Sequence, residues 1–172
     1  RAIPDDMQAL RRYAVLLIVP VIYGIDWWTK RLIIENIPYG QGTEVTGFFN
    51  IVHARNLGGV FGFLANYPQA KLIFSFLPLL VVAILIFILL RYALPFSKRL
   101  ALSSILGGAM GNIHDRLVYG YVTDFLDFHA FGYHWYAFNV ADIAVSFGVG
   151  LWIYTELFLA GKSPEARSQS TG

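Results

Sequence analysis

Leu72 to Leu90 is a run of 19 residues without one charged side chain. As a helix it is long enough to cross roughly 30 Å of hydrocarbon. Backbone groups in lipid have no water to bond to, so such a run predicts a spanning helix rather than a loop or an open strand. Leu100 to His114 is a second uncharged run. Tyr13 to Trp28 is a third, with Asp26 as its only charge. Ile143 to Thr155 is a fourth, lengthened on its N-terminal side by Tyr136 to Ala141. Three of the four are short for a bilayer, so they are assigned as a set. The predicted fold class is a membrane all-α bundle of four transmembrane helices, carrying a small extracytoplasmic β-sheet and a short amphipathic helix.

Composition agrees with a lipid environment. The chain has 172 residues, 56% hydrophobic and 14% charged, against about 25% charged in a soluble domain. This length suits one membrane-embedded domain over 1–172. The net charge of +2 is small and its basic residues are scattered, so no nucleic-acid groove is expected. The absence of cysteine excludes disulfides, a thiol nucleophile and S-acylation. Arg1 to Met7 reads as a tag remnant, and the polar 161–172 as a disordered tail.

Eight of the thirteen basic residues (Arg1, Arg11, Arg12, Arg91, Lys98, Arg99, Lys162, Arg167) fall on one side of a four-span arrangement. By the positive-inside rule both termini are cytoplasmic. No A-x-A-like site follows the first span, so it is expected to stay uncleaved. Trp27 and Trp28 suit the outer interface. Segments 31–69 and 117–138 then face outward. Pro38, Gly40, Gly42 and Gly47 punctuate the first of these, and Thr43 to Arg55 reads as short strands. Phe48, Phe49, Phe61, Phe63 and Tyr67 make it greasy enough to lie on the membrane surface as a sheet and a half-buried helix.

Polar groups gather at the outer helix ends. Span three ends with Asn112, Asp115 and Arg116 on one helical face, after a Gly107/Gly111 step that lets another helix come close. Span four opens with Asn139 and Asp142, and Ser146 follows a turn later. Span one ends with Asp26 and Lys30, an i,i+4 ion pair. Asn56 precedes Gly58-Gly59, and Asp124 stands in the outward segment. The plainest reading of span three is a packing patch capped by a surface Asp-Arg pair. Four carboxylates, two cations and three amides at one depth point instead to a built site. Two carboxylates that can meet, Asp124 and Asp142, suffice for hydrolysis by an activated water. Asp124, Asp127, His129 and His134 match no standard zinc spacing. The glycines are not followed by the Lys-Ser/Thr of a phosphate loop, and no G-x-S-x-G elbow is present.

Five ordered motifs carry a resemblance: Asp26-x-x-Thr29-Lys30, Asn56-x-Gly58 before Phe61, Gly107-Gly108-Ala109-x-Gly111-Asn112-x-x-Asp115-Arg116, Val122-x-Asp124-Phe125 and Phe138-Asn139-x-Ala141-Asp142. Together they resemble the signal peptidase II family of bacterial lipoprotein signal peptidases, over roughly Asp26 to Ser146. The resemblance implies four transmembrane helices, with a cradle-like sheet and an amphipathic lid helix within 31–69. It implies a catalytic pair, Asp124 and Asp142, supported by Asn56, Asn112, Arg116, Asn139, Asp115, Asp26 and Lys30. Asp115-Arg116 stands open between substrate binding and a structural brace, and Asp26-Lys30 fits a brace at the end of the first helix. The implied reaction removes signal peptides from diacylglyceryl-modified prolipoproteins by cutting before the lipidated cysteine. No metal or other cofactor is implied. The implied setting is a multi-pass protein of the bacterial cytoplasmic (inner) membrane, active near its outer face. There it would work as a monomer among membrane lipids, open to a globomycin-type inhibitor. Gly59-Val60 replace two alanines common in the family, which bears on the groove beside Asn56. The rival reading is a small proton-coupled carrier using intramembrane carboxylates. Carriers set such groups near the midplane of repeated, broken helices, whereas here they cluster at helix ends.

Overall fold

The computed structural model describes residues 13–57 and 68–159. The expected tag remnant and tail, and residues 58–67 of the expected lid, lie outside them. A 3-10 turn, Val15–Leu17, leads into helix α1, Ile18–Asn36. Strands β1, Gly42–Thr46, and β2, Phe49–Asn56, follow. Next come α2, Pro68–Arg91, and α3, Phe96–Tyr119, then β3, Val122–Ala130, β4, Tyr133–His134, and α4, Val140–Tyr154. A single π turn, Thr155–Leu159, ends the described chain.

The runs Leu72 to Leu90 and Leu100 to His114 lie within α2 and α3, while Tyr13 to Trp28 starts before α1 and Ile143 to Thr155 ends one residue past α4. The Leu72 to Leu90 run sits in the unbroken α2, which tolerates Pro78 in its interior. By length and composition alone, the helix over Val140–Phe158 qualifies among the described residues as able to cross a membrane. The charged side chains of α1 and α3 disqualify those helices. The most strongly buried of these are turned inward: Asp26, Lys30, Arg99 and Asp115 are at most 2% exposed.

Helix α3 is the spine of the bundle. Ala101, Ser103, Ser104, Gly107, Gly108 and Gly111 are all buried along it, and small residues let helix backbones approach. A methyl group at Gly107 would press on Ile22 of α1, and one at Gly148 of α4 would stand 2.5 Å from the Ala101 carbonyl oxygen. The compact apolar core, Leu85, Leu89, Leu102 and Leu106, lies between α2 and α3. Large apolar side chains cover the outside instead, among them Leu80, Phe87, Leu90, Phe147 and Ile153. That inversion suits a hydrocarbon solvent, in which outward leucine costs nothing. At the end of α3 far from the aspartates, buried Arg99 donates to the carbonyl oxygens of Leu89 at 3.2 Å and Tyr92 at 3.1 Å. It thereby satisfies acceptors that the end of α2 leaves open.

The strands form one antiparallel sheet in the order β1-β2-β3-β4. The sheet was expected within 31–69, and β1 and β2 do pair there, but β3 and β4 come from segment 117–138. Ala54 pairs with Asp124, Arg55 with Thr123 and Asn56 with Val122, beyond an irregularity between Ile51 and Ala54. Gly120 connects the bundle to this sheet. Its φ of +79° ends α3, with its N–H bonded to the Arg116 carbonyl at 3.1 Å. Glycine takes this left-handed conformation without penalty, and the chain turns there directly into β3.

Candidate active site

Five elements converge at the C-terminal end of α3, with Asn56 coming from β2. Asp124 comes from β3, Asp142 from the first turn of α4, Asn112, Asp115 and Arg116 from α3, and Asp26 and Lys30 from α1. Local chemistry fixes Asp142. Asn139 caps α4, its Oδ1 accepting from the Asp142 N–H at 3.0 Å, while Asp142 Oδ2 accepts from the Asn139 N–H at 3.2 Å. This reciprocal cap satisfies two donors that a helix start leaves open and holds the carboxylate in one rotamer.

Asn139 also reaches the other aspartate. Its Nδ2 donates to Asp124 Oδ1 at 2.6 Å and approaches Asn112 Oδ1 at 3.2 Å. Asn112 completes the link, its Nδ2 donating to Asp142 Oδ1 at 2.8 Å. The two carboxyl groups therefore belong to one amide network. Asn56, at the end of β2, gives Asp124 a further hydrogen bond. Asp124 is 3% exposed, whereas Asp142 is half-buried. Asp142 lines an open groove of about 450 Å³ with Trp135, Phe138, Ile143, Ser146 and Phe147.

Electrostatics separates the pair. Burial, reinforced by the charge of Asp142, pushes the Asp124 carboxyl up to about 7. Like charges in a poorly solvated site resist joint ionisation. Four carboxyl groups here face two cations, Lys30 and Arg116. Lys30 Nζ lies 2.8 Å from Asp26 and 3.5 Å from Asp115, and donates to Asn112 Oδ1 at 2.9 Å. Arg116 is close enough to feel Asp142, Asp124 and Asp115, and its buried Nε has no hydrogen-bond partner among the described residues.

Asp115 and Asp26 act as braces. Asp115 Oδ2 accepts the Thr123 N–H at 2.8 Å, tying β3 to α3 one residue before Asp124. Asp26 Oδ1 accepts the Ala141 N–H at 2.8 Å, tying α1 to α4 one residue before Asp142. Each aspartate of the pair is thus held through its preceding backbone amide. Sequence reasoning passes over Thr123 and Ala141, since each contributes its backbone and no side-chain signal marks it. All nine expected site residues lie in this cluster. Asp127, His129 and His134 lie apart from it: His134 Nδ1 is 2.8 Å from Asp127 Oδ2 and its ring stacks on His129. Among the described residues no group of three or more His, Cys, Asp or Glu is placed to hold a metal ion.

The family model described as Signal peptidase (SPase) II matches residues 18–158. The chain belongs to the signal peptidase II family. It is 45% identical over 134 residues to the lipoprotein signal peptidase of Ralstonia nicotianae, covering 77% of this chain and 78% of that one. With the lipoprotein signal peptidase of an Azoarcus species it shares 36% identity over 168 residues, 94% of this chain and 96% of the relative. Among solved structures it is similar to a bacterial membrane enzyme with a TM-score of 0.75 at 30% identity, over 88% of this chain and 92% of that one. A second bacterial membrane enzyme gives 0.73 at 31% identity, over 84% and 93%. The family match runs from α1 through α4 and so includes every element that builds the site. A peptidase of the membrane follows, and the carrier reading is not favoured.

Proposed function

We propose that Asp124 and Asp142 are the catalytic pair of an aspartic endopeptidase that removes signal peptides from diacylglyceryl-modified prolipoproteins, cutting before the lipidated cysteine. The observation that carries this reading is Asn139, which caps Asp142 while donating to Asp124, so that one side chain sets both carboxyl groups. Family membership supplies the prolipoprotein as substrate.

In this mechanism Asp142 is ionised and Asp124 protonated. Both Asp142 oxygens accept N–H donors, while burial keeps the proton on Asp124. Asp142 takes a proton from water as the water oxygen attacks the scissile carbonyl. Asp124 gives its proton to the carbonyl oxygen, leaving a neutral tetrahedral diol. When the C–N bond breaks, Asp142 passes its proton to the leaving amine of the lipidated cysteine. Asp124 recovers a proton from the collapsing hydroxyl. Arg116 and Asn56 border the pair and hold carbonyl oxygens of the bound peptide. Asn112 orients Asp142, and Asp26, Lys30 and Asp115 keep the elements in place.

The four helices span the cytoplasmic membrane in this reading, with both termini inside and the sheet and aspartates near the outer face. The charge bias supports that orientation. A monomer suffices, because one chain supplies both carboxyl groups. A globomycin-type inhibitor would occupy the groove beside Asp142. The test is incubation of the full chain with a lipidated prolipoprotein, read by gel shift. Cleavage by the wild type and not by Asp142→Asn is expected. Equal cleavage by both would remove the assignment.

A further inference from the structure

Strands β3 and β4 form a hairpin with two unlike faces. His129 pairs with His134 and Ala130 with Tyr133, and the Trp135 N–H bonds the Phe128 carbonyl at 2.7 Å. Side chains alternate along a strand, so Asp127, His129 and His134 share one face, as their ion pair and ring stacking require. Phe128, Tyr133 and Trp135 share the other. Phe128 is the inner end of that aromatic face, packed on Phe49 and Phe138. Tyr133 and Trp135 are 83% and 74% exposed.

At the tip the chain turns through Phe131 and Gly132, with φ of +52° and +80°. Two positive φ values match the tight hairpin turn that favours Asn, Asp or Gly. A phenylalanine is an unusual occupant of its first position, and here it is fully exposed. Nothing in the fold requires a large apolar ring at this point. Trp135 and Phe138 border the groove that also holds Asp142 and Ser146, and beyond it Ile143 and Phe147 of α4 are exposed.

We infer that the β3–β4 hairpin is a membrane-interface anchor, its aromatic face and Phe131 tip immersed in the lipid surface zone while His134, half-exposed on the other face, stays in water. Aromatic rings with a polar edge settle at that depth. A hairpin split into an apolar and a polar side lies in the plane of the interface, as an amphipathic helix does. The occupant is the bilayer, because the patch continues the outward apolar surface of α4. Asp124 lies on the same strand, so the anchor sets its height relative to the lipid. Phe131 and Tyr133 lie outside the lining of the Asp142 groove, and the readout does not depend on catalysis.

The chain has no cysteine, so single-site labelling is direct. Full-length Phe131→Cys, Tyr133→Cys, His134→Cys and Glu44→Cys variants would carry an environment-sensitive fluorophore in nanodiscs of phosphatidylethanolamine and phosphatidylglycerol. Spin-labelled lipid is expected to quench the labels at 131 and 133 several-fold more than those at 134 and 44, which aqueous iodide should quench instead. Equal iodide access at all four sites would overturn the anchor. So would shielding of 131 and 133 only in discs holding two copies, which marks a self-association surface. Shielding that appears only when a signal peptide is added would overturn it too, by making the face a substrate wall.

Discussion

Asn139 and Asp142 hold each other: the amide oxygen of the first takes the backbone N–H of the second, and the carboxylate of the second takes the backbone N–H of the first. A common helix-start device is therefore also the mount for the proposed proton acceptor. Its geometry is fixed before any substrate arrives, as preorganised catalysis demands.

Replacing either carboxylate by its amide should leave a folded, membrane-inserted protein. Asp124→Asn and Asp142→Asn are each expected to lower cleavage of a lipidated precursor about 10²- to 10⁴-fold, the usual worth of a positioned acid or base. An undiminished rate in either variant, measured by gel shift, would dismiss that residue from the reaction.

The rate should depend on pH through Asp124. Its carboxyl is held near 7 by burial and by the charge of Asp142. The protonated form is the proposed donor, so activity is expected to fall as pH rises through about 7. A rate at saturating enzyme-substrate contact that climbs through that range to a plateau at pH 9 would contradict the assignment of the acid.

The same carboxyl links stability to pH. Folded Asp124 keeps its proton to about 7, while an ordinary aspartate loses it near 3.8. Between those values the folded state binds the extra proton, so its advantage is complete below the lower value and lost above the upper one. An asparagine there has no proton to release. Thermal unfolding of Asp124→Asn should thus gain on the wild type between pH 5 and pH 8. A variant that loses ground over that interval would refute the linkage.

Two helical glycines should behave in opposite ways. A methyl group at Gly111 would collide with the Asp26 carboxylate, whereas one at Gly24 meets nothing within 4 Å. Gly111→Ala is expected to destabilise by about 1–3 kcal/mol and to reduce activity through Asp26. Gly24→Ala should be neutral, or stabilise by roughly 0.5–1 kcal/mol. Melting temperatures in detergent decide the matter, and equal shifts would disprove the close approach.

Chelation tests the metal alternative drawn from Asp124, Asp127, His129 and His134. Asp127 engages His134 and Asn50, away from the pair. Activity is expected to survive millimolar chelator unchanged, and a loss restored by zinc would reverse this reading.

Much of the site was legible because its side chains are costly in lipid. Asp26, Lys30, Asn112, Asp115 and Asp142 stand out against apolar neighbours, and helical spacing put Asn112, Asp115 and Arg116 on one face. The i,i+4 pair of Asp26 and Lys30 was also readable. Its extension was not: Lys30 bonds Asn112 from 82 positions away, a tertiary contact that no local pattern encodes. Asp124 was placed in segment 117–138 without a secondary structure, and it lies on a strand paired to β2. The β-branched and aromatic residues Val122, Thr123, Phe125 and Phe128 favour a pleated surface, but the register with Ala54 and Asn56 depends on distant chain. The contacts that steady Asp124 and Asp142 pass through the amides of Thr123 and Ala141, which any residue but proline would supply.

The bond from Asp26 to the Ala141 amide joins positions 115 apart, so α1 is made before the helix whose backbone fulfils the acceptor role of its carboxylate. Until α4 arrives, Asp26 lacks that donor and keeps its ion pair with Lys30. Chains that end before Asn139 also lack Asp142, so the proposed pair is completed only when α4 joins α1 and α3.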